Sequence, residues 1–367
     1  MNKLITGLLL GAASLGTAHA GDFTISGFGT LAAGKAYGGT QGQWNEFDCP
    51  CYIANYEHGA VYDKNRVSLA EESLAGVQLK YKFSEQLSAT AQVVSRASEK
   101  MKGEIDWAYV TWDITPETTL QAGRRRLPIY AYSDSVYIGY TLPWIRVPQD
   151  IYGWEIGAYN GVNLSHRKTL GDWAVIGNIF TGQEVTKNNK EMERIYYGAR
   201  VDDAWKRILG GYLEVSNDYV GVRMIYMQNT IDLTSYPAAA EDAVVTRGLR
   251  QRIMGVSASV DYNNFLLRAE ANTFRRPAQD YKARSWTATA GYKIGDFTPL
   301  AGYSHYTEKQ TDLYTDLQID NTRFVALRWD FRKNMDLKIQ FDKVIDRSHI
   351  AFSGNSKLVS VALDAVF

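Results

Sequence analysis

The segment Leu358–Phe367, LVSVALDAVF, decides the fold. Every second residue from Val359 to Phe367 is apolar, and the residues between them are more mixed. Strict alternation at period two predicts a β-strand with one apolar face. Chain ends usually fray in water. An apolar strand that runs to a terminal aromatic residue therefore favours a partner other than water for that face.

The same alternation recurs along the chain and is interrupted by seven short polar turns. The turns are SEQ near Ser84, TPET near Thr115, GD at 171–172, SND at 216–218, NN at 263–264, GD at 295–296 and RKN at 332–334. Eight longer stretches alternate with them, at 36–63, 98–103, 127–150, 183–205, 233–247, 277–281, 309–319 and 347–356. This count requires about sixteen strands. An even strand number with short turns at one end and long loops at the other is typical of transmembrane β-barrels.

Charged residues in mid-strand favour a membrane barrel over a soluble sandwich. Arg328 and Asp330 alternate with apolar neighbours, and Arg268 and Glu270 do the same. A lipid-facing apolar side, interfacial Tyr and Trp, and a wet lumen that holds charges would account for this pattern. Closure would leave no unpaired backbone in hydrocarbon. The sequence therefore predicts an all-β, antiparallel transmembrane barrel. Asp106 is an exception, because it shares the parity of apolar residues in EIDWAYVTWDI.

The first twenty residues, MNKLITGLLLGAASLGTAHA, have the pattern of an export signal. Lys3 precedes an apolar stretch from Leu4 to Leu15, and Ala18-His19-Ala20 has the form of a cleavage site. We expect residues 1–20 to be a secretory signal peptide and 21–367 to be a single barrel domain. A membrane anchor is the alternative for the first segment.

Composition and cysteine usage limit the partners and cofactors. There are 40 basic and 40 acidic residues, so the net charge gives no support for a nucleic-acid partner. Cys49 and Cys51, in FDCPC, are either a loop disulfide, which export permits, or two loop thiols. A metal site would need more ligands than two thiols. We find no cofactor motif.

The export signal, the sixteen strands, the first strand ISGFGTLAAG and the terminal Phe367 together resemble the Gram-negative general porins. The resemblance implies an outer-membrane location among lipid and lipopolysaccharide. It also implies a homotrimer, and a terminal aromatic residue that is presented to the barrel-assembly machinery. It further implies that the third long loop folds into the lumen as a constriction.

The third loop, at 127–150, is rich in aromatic residues and carries two acids that could face basic residues on the wall. The candidate loop residues are Tyr130, Tyr132, Asp134, Tyr137, Tyr140, Trp144 and Asp150. The basic wall residues, by inward parity, are Arg96, Arg125, Arg223, Arg268 and Arg328. Opposed charges at a narrow point order water and screen solutes. Alternatively, the tyrosines simply pack the loop against the wall.

Parity places Arg125 inward and its neighbours Arg124 and Arg126 outward. The alternative is that all three lie at the external rim and bind lipopolysaccharide phosphates rather than solute. Lumenal charge is mixed, since Lys80 and the wall arginines face a set of acids, so no ion preference is predicted. The acids are Glu155, Glu214, Glu270 and Asp342.

Four functions are compatible with an exported barrel or compete with it. The first is a passive channel for small hydrophilic solutes and ions, and the second is a channel selective for a sugar or organic anion, with its binding track in the third loop. An enzyme would need a nucleophile and a base within reach. Of His58, His166, His305 and His349 only His166 has a serine beside it, and adjacent strand residues point to opposite faces. A purely structural barrel is disfavoured, because sixteen strands usually enclose a channel.

Overall fold

The computed structural model describes residues 19–20, 22–153, 155–237, 242–310, 317–348 and 352–367. Most of the predicted signal peptide, and parts of the stretches 233–247, 309–319 and 347–356, lie outside the described residues. No helix in the described part of the chain is long and apolar enough to cross a membrane.

Sixteen antiparallel strands form one sheet that closes on itself, and the two-residue strand His19–Ala20 pairs with the first of them. They are β1 Phe23–Gly39, β2 Leu74–Lys82, β3 Leu87–Arg96, β4 Lys102–Thr115, β5 Thr118–Arg126, β6 Ala158–Leu170, β7 Trp173–Thr186, β8 Arg200–Ser216, β9 Val220–Tyr236, β10 Val244–Tyr262, β11 Phe265–Arg276, β12 Tyr281–Tyr292, β13 Phe297–Lys309, β14 Ile319–Arg332, β15 Met335–Asp346 and β16 Ser356–Val366. The predicted strand number and fold class are confirmed.

The barrel closes where β16 pairs with β1, from Phe28 opposite Val366 to Ala36 opposite Leu358. Phe367 continues the ladder, because its N–H donates to Gly27 O at 2.9 Å and its carbonyl accepts from Gly27 N at 3.0 Å. The Phe367 ring lies over Gly27, where a Cβ atom would come within 2.3 Å of the ring. Glycine at this position therefore makes room for the terminal aromatic side chain.

Alternation puts an apolar belt on the outside of the barrel. On β14, Val325, Leu327 and Trp329 are exposed. Phe324 and Ala326, on either side of Val325, are buried toward the interior. Asp106, which breaks the apolar parity of β4, is turned inward by a local irregularity of the strand. Val93 pairs with Ile105 and Gln92 with Trp107, so Asp106 is the extra residue of a β-bulge and is buried.

The first long loop, between β1 and β2, forms two small hairpins. These are Gly42–Trp44 with Phe47–Cys49, and Tyr52–Asn55 with Ala60–Tyr62. Cys49 and Cys51 are bonded to each other, with Cα atoms 4.3 Å apart. The Tyr62 ring packs onto Gly34 of β1, so this loop lies against the inner side of the wall.

A cluster of apolar side chains fills one level of the barrel interior between β5 and β13, and we call it the apolar layer. It consists of Leu127, Ile129, Ile156, Tyr159, Phe180, Trp205, Ile208, Ile225, Met227, Ile231, Ile253, Phe274, Ala283 and Tyr306. All of these residues are buried. These side chains therefore occupy part of the barrel interior at this level.

Candidate functional site

The segment joining β5 to β6, residues 127–157, makes hydrogen bonds with side chains of distant strands, and we call it the strap. It is longer than the predicted loop, because β6 begins only at Ala158. Arg223 of β9 donates to Pro128 O at 2.8 Å, and Glu270 of β11 accepts from Ala131 N at 3.0 Å. Trp144 Nε1 donates to Thr289 of β12 at 3.1 Å. The strap thus reaches side chains on the inner face of the wall.

A buried charged group holds the middle of the strap. Lys338 of β15 donates to Gly139 O at 2.6 Å and to Asp364 Oδ2 of β16 at 2.9 Å. Both side chains are almost completely buried, at 0% and 1% exposed. Arg328 of β14 donates to Tyr140 O at 2.8 Å and to Leu142 O at 2.9 Å. Buried charges with several such partners fix the position of the segment.

Arg146 anchors the strap through a basic residue on the strap and acidic residues outside it, which is the reverse of the expected arrangement. Its guanidinium donates to Glu72 at 2.6 Å, to Asp342 of β15 at 2.6 Å and to Ser360 of β16 at 2.7 Å. Sequence reasoning looked for acids on the loop and bases on the wall, and so missed this residue. The available signal was that Arg146 is the single basic residue in the strap sequence.

The two predicted acids lie in different environments. Asp134 is half exposed, and its Oδ2 is 3.4 Å from Arg125 Nη2. Asp150 accepts from Ser304 at 2.6 Å and from Thr322 at 3.2 Å, and burial raises its pKa above the ordinary value. Of the two, only Asp134 is paired with a predicted wall arginine.

The aromatic residues of the strap pack mainly on one another. The rings of Tyr130 and Tyr152 are 4.4 Å apart, and those of Tyr132 and Trp144 are 5.2 Å apart. Tyr140 lies beneath the Arg328 guanidinium, 5.0 Å from its ring centre. This geometry agrees with the packing interpretation for most of these rings.

Tyr137 belongs to a buried polar cluster that connects the strap to the first loop. Its hydroxyl donates to Glu57 Oε2 at 2.6 Å and lies 2.8 Å from His58 Nε2. The guanidinium groups of Arg96 and Arg126 lie 4.2 and 4.6 Å from its ring centre. Sequence reasoning did not find Glu57 or His58, because nothing in the first loop marks their proximity to residue 137.

The outward placement of Arg126 was wrong. Its side chain is buried, with Nη2 at 2.7 Å from Glu57 and Nη1 at 3.1 Å from Asp106, the residue that the bulge turns inward. Burial alone would raise the pKa of Glu57, but Arg126 and His58 outweigh burial and hold that pKa well below its usual range. Arg124 is paired with Glu184 at 2.6 Å.

His58, Glu99 and Glu104 offer ligand atoms within 4.8 Å of one another, which is metal-like spacing among the described residues. Arg96 Nη1 lies 3.4 Å from Glu104 and 3.9 Å from Glu99. His58 Nδ1 is already within 3.0 Å of Glu99. An arginine therefore supplies positive charge where a metal ion would sit.

The other wall arginines also have partners. Arg268 pairs with Asp261 at 2.8 Å, and Arg328 with Asp330 at 2.7 Å. Arg223 lies over the Tyr212 ring, 3.8 Å from its centre. The charged wall residues are therefore held in fixed orientations.

Space remains between the strap and the wall from β8 to β12. Arg125 is half-buried over the rings of Trp107 and Tyr109. Toward the short turns lies a cavity of about 320 Å³. Three aromatic rings and four charged wall residues line it, namely Tyr132, Trp144, Tyr152, Glu214, Arg223, Arg268 and Glu270.

The histidine–serine pair has no catalytic geometry. Ser165 donates to Asn163 at 3.3 Å, and His166 Nδ1 lies 2.9 Å from Thr118 Oγ1. His349 lies outside the described residues.

Solved structures with this architecture are outer-membrane proteins. The outer-membrane channel DcaP of Acinetobacter baumannii aligns over 96% of this chain and 99% of its own, at 11% identity and a TM-score of 0.57. The anion-selective porin of Comamonas acidovorans aligns over 94% of this chain and 99% of its own, at 12% identity and a TM-score of 0.56. The chain has the fold of an outer-membrane porin. OmpT, an outer-membrane protein of Vibrio cholerae, aligns over 96% of this chain and 100% of its own, at 9% identity and a TM-score of 0.57.

No protein-family model and no curated protein matches the chain. The likeness therefore extends to the porin-type fold and to its setting as an outer-membrane β-barrel. At this level of identity it carries no information on the solute.

Proposed function

We propose that the protein is a non-enzymatic outer-membrane channel through which small hydrophilic solutes and ions diffuse. The observation that carries this proposal is a closed barrel whose interior keeps charged side chains of both signs partly exposed beside the strap, namely Arg125 with Asp134 and, in the cavity, Glu214 with Arg268. Paired charges of both signs along a passage favour hydrated polar solutes over apolar ones.

The strap serves as the constriction in this proposal, and it makes the passage eccentric. Lys338, Arg328 and Arg146 tie its middle to β14–β16, and the cavity beside it lies against β8–β12. The apolar layer fills part of the remaining cross-section. We therefore expect a narrower passage than sixteen strands could enclose.

A second candidate is a solute-selective channel, and the cavity of about 320 Å³ favours it. Arg223 and Arg268 lie there with Tyr132, Trp144 and Tyr152. Aromatic rings beside two guanidinium groups suit a sugar or an organic anion, because rings stack on a solute face and guanidinium groups bind carboxylates.

Single-channel conductance in a planar bilayer under a salt gradient tests both candidates. Ohmic steps with a modest reversal potential would support passive diffusion. Steps that one sugar or carboxylate blocks at millimolar concentration would support the selective channel. The absence of any conductance from refolded, heat-modifiable protein would contradict both.

We propose lipopolysaccharide as the lipid partner on one flank of the barrel. Outward residues of neighbouring strands form two rows of directly opposed basic side chains, which we call the basic face. The rows are Arg252, Arg275, Lys282 and Lys309, and then Arg323, Lys343 and Lys357. None of the seven forms an ion pair within the described part of the chain.

Like charges directly opposite each other on a sheet repel, so the basic face favours an anionic partner. By contrast Lys206 on β8 pairs with Asp232 at 2.6 Å. The rows lie toward the long-loop ends of their strands, where lipid phosphates would meet them. Arg126, which is buried, does not contribute.

The proposed function also includes how the protein is exported and how it assembles. We propose a homotrimer, and OmpT has been solved in a trimer form. We also propose that residues 1–20 direct export and that Phe367 presents the closing strand to the barrel-assembly machinery. Native mass spectrometry of detergent-extracted protein tests the trimer, and the N-terminal residue of the mature protein tests the cleavage.

A further inference from the structure

A second cavity, of about 360 Å³, lies at the long-loop end of the barrel. Along β9 the residues Arg223, Met227 and Leu233 belong in turn to the first cavity, the apolar layer and this second cavity. β11 shows the same order from Arg268 to Arg276. The apolar layer therefore separates the two cavities. A solute approaching from the long loops meets the second cavity first.

Two buried carboxylates face this cavity, and one oxygen atom of each has no hydrogen-bond partner among the described residues. Glu191 is 1% exposed, and its Oε2 has no hydrogen-bond partner among the described residues. Glu155 is 7% exposed; its Oε1 accepts from Arg276 Nη2 at 2.5 Å, and its Oε2 is unpartnered in the same part of the chain. Asp203, 1% exposed, lies within electrostatic reach of both.

Positive charge around these acids is scarce. Arg276 is the one basic residue among the described residues that line the cavity. A third lining acid, Glu308, is satisfied by the hydroxyls of Tyr281 at 2.7 Å and Tyr306 at 2.6 Å.

A buried carboxylate without a counter-charge is costly. Burial and the repulsion of Glu155, Glu57 and Asp203 raise the pKa of Glu191 well above its ordinary value. A cation held in the cavity would stabilise the ionised form and satisfy the free oxygen. The site therefore has the electrostatics of a cation receptor.

The form of the site favours an organic cation over a metal ion. Within the described residues, three carboxylate or imidazole ligands converge to metal-like spacing at His58, not at Glu191. Much of the remaining lining is aromatic or apolar and includes Tyr196, Tyr281 and Phe352, and the neutral polar residues Thr246, Gln279, Gln310 and Gln318 complete it. Aromatic faces attract ammonium groups, and cavities of roughly 300–1,000 Å³ are typical of small-molecule sites.

We propose that this cavity binds a small organic cation, an ammonium group on an aromatic or aliphatic body, with Glu191 as its counter-charge. The inference deepens the proposed function, because it names a solute class that the channel would take up at its external mouth. The inference rests on the proposed function only for the role of binding in uptake. Binding itself does not require the protein to conduct.

Isothermal titration calorimetry of the full chain in detergent micelles tests the proposal, with benzylammonium chloride as the probe. Benzyl alcohol is the uncharged counterpart of similar size. Glu191→Gln should weaken benzylammonium binding about 10- to 100-fold, because hydrogen bonds to charged groups contribute about 1.5–3 kcal/mol. Glu191→Asp keeps the charge and should retain measurable binding.

The matched control is Glu193→Gln on the same loop. Glu193 is 30% exposed and pairs with Lys190 at 2.7 Å, so its loss should leave the affinity unchanged. Equal affinity for benzylammonium and benzyl alcohol, or unchanged binding in Glu191→Gln, would overturn the proposal. Ohmic conductance without benzylammonium binding would refute this inference alone, and binding without conductance would refute the proposed channel alone.

Discussion

At the scale of single residues, what decides the role of a charge is whether water or protein surrounds it. Asp134 and Asp150 belong to the same strap and have the same side chain. Asp134 is half exposed beside Arg125, whereas Asp150 is enclosed by two hydroxyl donors. Only the first can act on an ion that passes.

We expect Asp134→Asn to shift the channel toward anions, because it removes a negative charge that faces the passage. An exposed pair contributes about 0.2–1 kcal/mol, so the anion-to-cation permeability ratio should rise about 1.5- to 5-fold. Reversal potentials under a salt gradient measure the shift. Asp150→Asn serves as the control and should leave the ratio unchanged. An unchanged ratio in Asp134→Asn would place this residue outside the passage.

Sequence reasoning at this scale succeeded where alternation is regular and failed where it is broken. Arg223 and Arg328 contact the strap, as inward parity predicts, and the ladder pairs them regularly with Glu214 and Lys338. Parity misplaced Arg126, because the bulge at Asp106 creates a buried partner that parity cannot foresee. The pairing of Glu57 with Tyr137 joins residues 80 positions apart and leaves no local signal.

At the scale of elements, the strap and the first loop are held to the wall and to each other by buried charged groups. Lys338 connects the strap to β15 and β16, and Glu57 connects the first loop to β5 and the strap. The sequence predicts that a third loop exists and is aromatic. Its anchoring could not be predicted, because it depends on which wall residues come within reach after closure.

Replacing Lys338 with methionine should loosen the strap. The change leaves the buried Asp336 and Asp364 without their shared cation, and breaking a buried pair costs about 3–5 kcal/mol. We expect a lower midpoint of urea unfolding and noisier, larger conductance steps. Lys333→Met, in the exposed turn just before the same strand, is the matched control. Identical traces and midpoints for the two variants would show that Lys338 does not anchor the strap.

Acid should weaken the contact between the first loop and the strap through Glu57. Its folded pKa is lowered, so its contribution to stability is present above the ordinary glutamate pKa of about 4.3 and is lost as the pH falls further. The difference in thermal midpoint between the native protein and Glu57→Gln should therefore shrink from pH 7 to pH 3. A difference that stays constant over this range would contradict the assignment.

At the scale of the whole molecule, the sequence predicted the barrel well. Period-two alternation and seven short turns define the strand number and the closing pair, since both follow from local patterns. The filled interior was not predicted. Alternation tells which side chains point inward, but not whether a loop or water will meet them.

The basic face predicts that lipid phosphate binds the barrel on one flank. We expect the triple variant Arg252→Gln, Arg275→Gln, Lys282→Gln to retain far less lipopolysaccharide after extraction. Each basic residue near a lipid surface contributes about 1 kcal/mol, so three losses correspond to about a hundredfold in affinity. Phosphate assay of purified protein measures the bound lipid. Lys206→Gln, which removes an outward cation already paired with Asp232, should change nothing. Equal lipid content in both variants would refute the assignment.

The uneven filling of the barrel also has a consequence for how related sequences can diverge. Inward residues such as Ala32, Leu358 and Ala362 lie under the loops at close to 0% exposure, so they are packed like the core of a soluble protein. Inward residues on the far wall, such as Gln121 and Tyr212, face partly open space. Among homologues we therefore expect side-chain volume to be restrained on β14–β16, on β1 and at the positions of the apolar layer, and substitutions to accumulate at the partly exposed inward positions of β4–β9.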